Sequence, residues 1–210
     1  MTRSANCPNC GAPIRFRFSS AVQTTCEFCR SILVGTGLDL SRVGQVADLP
    51  PDSSPIQIGS EGVYRNKAFT AAGRIIYQYE QGGWNEWHLA FQDGASGWLS
   101  DAQAQYAVTF VAKPSQPLGD MSTRYPGSAF TEGGVEYRVA SITRAHYAGV
   151  EGELPFEYWD KSECVFIDLR SPDGRLGTID YTEDPPLLFL GEFVEFDTLR
   201  FSNLRQFEGW

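Results

Sequence analysis

At 210 residues the chain has room for one large or two small domains, and its 42% hydrophobic and 13% aromatic content excludes wholesale disorder. A formal net charge of −9 argues against a protein that coats nucleic acid by bulk charge, and five cysteines are too few for a disulfide scaffold. No stretch approaches the roughly 18 apolar residues of a membrane helix, and the N-terminus has no apolar leader segment. A cytoplasmic chain with no membrane insertion is expected.

Residues 1–35 hold Cys7-Pro8-Asn9-Cys10-Gly11 and Cys26-Glu27-Phe28-Cys29-Arg30, two CxxC knuckles separated by 15 residues. Each knuckle turns two sulfurs toward one point, and a pair of knuckles completes a tetrahedral shell with bonds of about 2.3 Å. Four cysteine ligands leave no position for water or substrate, so Zn2+ is expected as a structural cofactor. Iron held by the same ligands is a second reading, and thiol chemistry a third. Between and after the knuckles, Ile14-Arg15-Phe16-Arg17-Phe18 and Ser31-Ile32-Leu33-Val34 read as strands, which makes the segment a zinc ribbon. Arg15, Arg17 and Arg30 give this head a basic patch. It suits a nucleic-acid or acidic-partner contact, simple neutralisation of the metal centre, or a contact with the chain's own acidic body.

Residues 36–55 end in Pro50-Pro51 and Pro55 and read as a linker. Two β segments follow, residues 56–112 and 128–210, divided by a Pro-rich break at 113–127. They resemble each other: Glu61-Gly62-Val63-Tyr64-Arg65 is matched by Glu132-Gly133-Gly134-Val135-Glu136-Tyr137-Arg138, and each copy later reaches an Asp-Gly turn, at Asp93-Gly94 and Asp173-Gly174. The expected fold is mainly β, a four-cysteine zinc ribbon followed by two tandem SH3-like barrels. A two-residue turn at Asp93-Gly94 would set Leu89 opposite Trp98 and put Trp87, Leu89, Phe91 and Trp98 on the core face. Trp84, Glu86 and His88 would then lie on the outer face. Glu86 and His88 are the weak candidates for an acid–base pair, although outer strand faces often carry such residues without chemistry. Cys164, flanked by acid, reads as a buried strand cysteine.

Negative charge is densest at residues 149–163, read as a loop inserted in the second barrel. Glu151, Glu153, Glu157 and Asp160, with Trp159, form a candidate partner-binding surface, to which Arg15 and Arg17 of the ribbon add a basic element. The leading functional expectation is a non-catalytic scaffold presenting this acidic surface to a protein partner. The alternatives are a nucleic-acid-associated ribbon module, not favoured by the charge, and a polyamine-type cation binder or enzyme using the acidic loop.

Trp84-Asn85-Glu86-Trp87 with Leu89, Asp93-Gly94 leading to Trp98-Leu99, Gly152-Glu153-Leu154-Pro155 and Gly191-Glu192-Phe193-Val194 together resemble a bacterial family catalogued as domain of unknown function 4178. The resemblance implies a non-catalytic partner protein, often joined to an N-terminal CxxC ribbon, in envelope-stress clusters near polyamine-synthesis genes. It implies no catalytic residue.

Overall fold

A computed structural model describes residues 3–35, 39–46, 53–158 and 163–207. In the head, β1 (Arg3–Asn6) pairs with β2 (Pro13–Phe16), and β3 (Gln23–Thr25), β4 (Ser31–Val34) and β5 (Ser41–Gln45) form a second small antiparallel sheet. The strand β5 lies inside the expected linker, because its backbone completes the open edge of β4. Ile14, Phe16 and Leu33, at alternating strand positions, are buried around Cys7 and Cys26.

The remaining strands run β6 (Glu61–Tyr64), β7 (Lys67–Tyr79), β8 (Gly82–Phe91), β9 (Ser96–Ala102), β10 (Gln105–Ala112), β11 (Ala129–Glu132), β12 (Val135–Gly152), β13 (Cys164–Arg170), β14 (Arg175–Asp180) and β15 (Leu187–Val194). They do not make two barrels. Each half is a five-strand meander, and the two meanders join through β10 against β15 and β7 against β12. The product is one closed barrel of eight strands, β7 to β10 and β12 to β15, with β6 and β11 attached as hairpin strands at the starts of β7 and β12. Closure pairs every long edge that two small separate sheets would leave open.

Both halves use the same turn at the same place. Phe91 N–H donates to Ala95 O and Gly94 N–H to Phe91 O, while Ser171 N–H donates to Arg175 O and Gly174 N–H to Ser171 O. The loop therefore has three residues, with Gly94 (φ 86°) and Gly174 (φ 85°) in the left-handed region. The two-residue turn expected at Asp93-Gly94 is corrected to this geometry, and the register slips by one, so that Trp98 faces His88 and Leu89 faces Gly97. A slip of one moves a side chain to the opposite face.

Inside and outside are also exchanged relative to expectation. Trp87, Leu89, Phe91, Leu99 and Val108 lie on the barrel's outer surface, covered by β6, residues 56–58 and the C-terminal segment with Leu199. The second half buries Tyr137, Val139, Ile167, Leu169 and Leu188 under β11 and the break at 113–127, from which Leu118 inserts. Trp84, Glu86, His88 and Trp98 point inward instead.

Candidate ligand pocket and metal centre

All four cysteine sulfurs of the head lie within 4.8 Å of one another. The separations are 3.6 Å for Cys7–Cys29 and 3.8 Å for Cys10–Cys26. A tetrahedron with bonds of about 2.3 Å has edges of about 3.8 Å, so the cluster fits a single tetrahedral metal ion. The knuckles are built alike. Cys7 N–H donates to Ala12 O and Gly11 N–H to Cys7 O, as Cys26 N–H does to Ser31 O and Arg30 N–H to Cys26 O. Gly11 (φ 75°) and Arg30 (φ 59°) occupy the same left-handed position.

The barrel lumen is the second site. Its upper section, about 220 Å³, is walled by Tyr77, Trp98, Phe156, Tyr158, Phe166 and Phe189. Four carboxylates, Glu86, Glu157, Asp180 and Glu183, also line it, and no basic side chain does among the described residues. A lower section of about 350 Å³ shares Glu86, Ser100, Phe166 and Thr178 with the upper one and is lined from all eight barrel strands. Glu86 thus stands at the waist. Ser100 Oγ donates to it at 2.7 and 2.9 Å and Trp84 Nε1 at 2.9 Å. Burial pushes its carboxyl up to about 7, and the neighbouring negative charges of Asp168 and Asp101 push the same way. Below it, Asp168 accepts from Ser141 Oγ at 2.8 Å and Thr178 Oγ1 at 3.1 Å.

His88 forms no pair with Glu86. Its Nδ1 lies 3.0 Å from Glu153 O and its Nε2 3.0 Å from Ser96 Oγ. A carbonyl only accepts, so Nδ1 carries the proton and Nε2 accepts from Ser96. Burial holds the ring neutral, pushing its pKa down to about 4. The expected outer-face pair is replaced by a structural histidine and a lumen carboxyl.

Two carboxylates of the acidic surface expected around Glu151 have partners within the molecule. Glu151 takes Arg74 at 2.5 Å, an arginine whose side chain is only 3% exposed. The Glu153 carboxylate accepts from Arg17 N–H at 2.8 Å and Phe18 N–H at 3.1 Å, clamping the head to the barrel. Residues 149–152, expected as part of a loop, are the barrel-closing end of β12. At Gly152 (φ 69°) a Cβ would stand 2.3 Å from Ala72 O, so only glycine fits where the chain turns off toward the head. Leu154 N–H donates to Gln23 O at 2.9 Å, and the Gln23 side chain brackets Tyr158, donating to its carbonyl at 2.9 Å and accepting its N–H at 2.7 Å. The strap 153–158 thereby carries Phe156 and Tyr158 over the upper lumen, where Trp98 stacks on Phe156 and Tyr77 donates to Tyr158 Oη at 2.6 Å. Glu157 stays exposed at the cavity rim. Trp159 and Asp160 lie outside the described residues. Cys164 is fully buried, with its sulfur 3.3 Å from Tyr158 Oη.

Arg15, Arg17 and Arg30 line one groove of about 870 Å³ between head and barrel, facing Glu27, Glu151 and Glu153. Arg17 pairs with Glu27 at 3.3 Å. The arginines of the head therefore look onto acidic groups of the same chain. The lumen residues Ser100, Thr109, Asp168 and Thr178 escaped the sequence reading. Their signal is a polar side chain at every second position of otherwise apolar strands, which resembles a solvent face until the sheet is known to close.

The fold and site define a closed eight-stranded β-barrel with a lined lumen, carrying a four-cysteine head. Its sequence places it more narrowly. The chain belongs to the family described as domain of unknown function (DUF4178), whose model matches residues 57–196. No curated protein and no solved structure matches the chain. Among the described residues no helix is long and apolar enough to cross a membrane.

Proposed function

We propose that this is a non-catalytic small-molecule-binding protein whose ligand site is the barrel lumen. The head is a zinc ribbon holding one structural Zn2+ on Cys7, Cys10, Cys26 and Cys29 and supporting the strap over the upper end. One observation carries the reading: the eight-stranded lumen is not packed shut but keeps sections of about 220 and 350 Å³ around the half-buried Glu86. Eight strands enclose an interior that side chains just fill, or that holds one small ligand. The metal, with every ligand a cysteine, contributes folding energy to a head too small to hold together without it. The scaffold reading loses support because Glu151 and Glu153 already serve Arg74 and the head.

The test is native mass spectrometry of the zinc-loaded full chain purified from its host, beside Thr109→Phe, which places a ring in the upper section. The expected result is a small-molecule adduct on the wild-type chain that is absent from a folded Thr109→Phe, with one zinc on both. An adduct that survives the blocked lumen, or a wild-type chain that carries none and takes up none from a metabolite extract, overturns the reading.

A further inference from the structure

We infer that the lower section of the lumen takes a neutral polyhydroxylated ligand the size of one sugar ring. The inference rests on the lumen being a ligand site and names the class of that ligand. Size and polarity support it first. At about 350 Å³ the section lies at the small end of the roughly 300–1,000 Å³ that holds small ligands, and it opens past Gln81, Gln103 and Gln105, which are exposed. Ser100, Ser141, Thr143, Asp168 and Thr178 line it together with Glu86. A purely apolar ligand would strip water from these groups and return no hydrogen bond to them.

The direction of the hydrogen bonds narrows the class. Ser100 Oγ and Trp84 Nε1 donate to Glu86, and Ser141 Oγ and Thr178 Oγ1 donate to Asp168. With those hydrogens committed, the carboxyl and hydroxyl oxygens keep lone pairs and the ligand has to bring donors. Glu86 on β8 and Asp168 on β13 are three strands apart one way round the barrel and five the other, so they stand across the lumen. The donors must therefore leave the ligand on two sides. Hydroxyls around a ring do so, and one ammonium group does not. Trp84, Phe166 and Phe193 set apolar rings between the polar groups, Trp84 held by its stack on Tyr77 at 4.9 Å and by the edge contact with Phe166 at 5.7 Å. A sugar ring carries C–H groups on its faces and hydroxyls on its rim, which matches a wall of that mixture.

Charge balance favours a neutral ligand over an ion. Glu86, Asp168 and Arg170 are the charged side chains that line the section among the described residues. Arg170 offsets Asp168, two residues before it on the same strand, and burial pushes the Glu86 carboxyl up to about 7, so less than one net negative charge remains at neutral pH. A hydroxyl both donates and accepts, so it serves Glu86 whether the carboxyl is charged or protonated. The guanidinium of Arg170 lies 4.4 Å over the Phe193 ring and gives one N–H to Leu169 O at 3.5 Å, which leaves others for ligand oxygens.

Calorimetry on the zinc-loaded full chain tests this with glucose, galactose and mannose, each beside its 2-amino-2-deoxy and its uronate counterpart. At least one neutral sugar is expected to bind about tenfold tighter than both of its charged counterparts at pH 7. Asp168→Asn, which keeps an acceptor for Ser141 and Thr178, is expected to weaken that binding about tenfold. Thr143→Phe, which places a ring in the lower section, is expected to abolish it. Should either variant not fold, Glu86→Gln, which keeps an acceptor for Ser100 and Trp84, is expected to weaken binding severalfold. No preference for a neutral sugar over its charged counterparts, or binding unchanged in every folded variant, overturns the polyhydroxyl inference and leaves lumen binding standing. So does the absence of sugar binding when the chain purified from its host carries a small-molecule adduct that Thr109→Phe removes. No sugar binding and no such adduct removes both.

Discussion

In the head, one buried apolar cluster gathers Ile14, Phe16, Ala21 and Leu33 around Cys7 and Cys26, while Ile32 and Val46 pack into a cluster shared with the barrel. The barrel instead carries one apolar cluster inside its wall and two outside it, around Trp87 and around Ile167. A segment of the head's size cannot offset its chain entropy by burial alone, whereas a closed sheet covered on its outer face can. On the proposed reading the head's order depends on one ion and the barrel's on area. A barrel stabilised from outside is free to keep polar and open space within, which is what a lumen requires.

The largest effect that separates the two regions is metal removal. Structural zinc in small ribbons and fingers supplies on the order of 10–16 kcal/mol. Chelation, or Cys26→Ser, is expected to unfold the head and leave the barrel closed. Limited proteolysis should then cut within residues 3–46 while a fragment covering 57–196 survives. Simultaneous collapse of both would show that the barrel relies on the head for more than the strap. Next in size is the outer core. Trp87 is fully buried on the outside of the barrel, with the Arg74 guanidinium 5.0 Å over its ring. Trp87→Ala is expected to cost about 3–5 kcal/mol in denaturant unfolding of the barrel. The zinc stoichiometry of the head should stay at one.

Legibility in the sequence divides along the same line. The convergence of the head's four cysteines was legible, since they are local, two knuckles at a fixed spacing with alternating strands between. The barrel was legible as β structure, and the division of β8 into two faces was right, with Trp87 and Leu89 on one and Trp84, Glu86 and His88 on the other. Which face was inside was not legible. The closing pairs, such as Tyr77 with Tyr147 and Phe110 with Leu190, join residues far apart in the chain and leave no periodic trace. Without closure, an apolar face reads as core and a polar face as surface. Within the acidic run at 149–163, the partners of Glu151 and Glu153 were illegible for a related reason: they are Arg74 and the backbone of Arg17 and Phe18, distant in sequence.

The third effect belongs to the lumen and acts through pH. Glu86 is raised to about 7 from an ordinary value of 4.5, so between those values the native state holds more protons than the unfolded chain. Stability from this group is fully present below pH 4.5 and falls as pH rises toward 7, by about 3 kcal/mol in all. His88 acts in the opposite sense. Its pKa is lowered to about 4 from 6.5, so its contribution is complete above 6.5 and is lost as pH falls toward 4. The two slopes oppose each other over most of pH 4.5–6.5. The difference in unfolding free energy between wild type and Glu86→Gln should therefore fall by about 3 kcal/mol from pH 4.5 to 7. A flat difference curve would show that the carboxyl is better solvated than its surroundings indicate.

The smallest effect lies at the junction of the two regions and concerns Glu153. Its N–H donates to Ala72 O at 2.8 Å and its carbonyl accepts from His88, so its backbone belongs to the barrel. Its carboxylate belongs to the head, through the Arg17 and Phe18 amides. Glu153→Ala leaves those two amides without their acceptor while sparing the strap's backbone pairing with Gln23, and is expected to cost about 1–3 kcal/mol. That cost should appear as faster amide exchange at Arg17 and Phe18, and not in the barrel strands, because closure does not pass through this side chain. If the lumen is a ligand site, affinity for its ligand should fall in the same variant by less than the amide protection does. Phe156 and Tyr158 remain tied through Trp98 and Tyr77 even when the head is loosened.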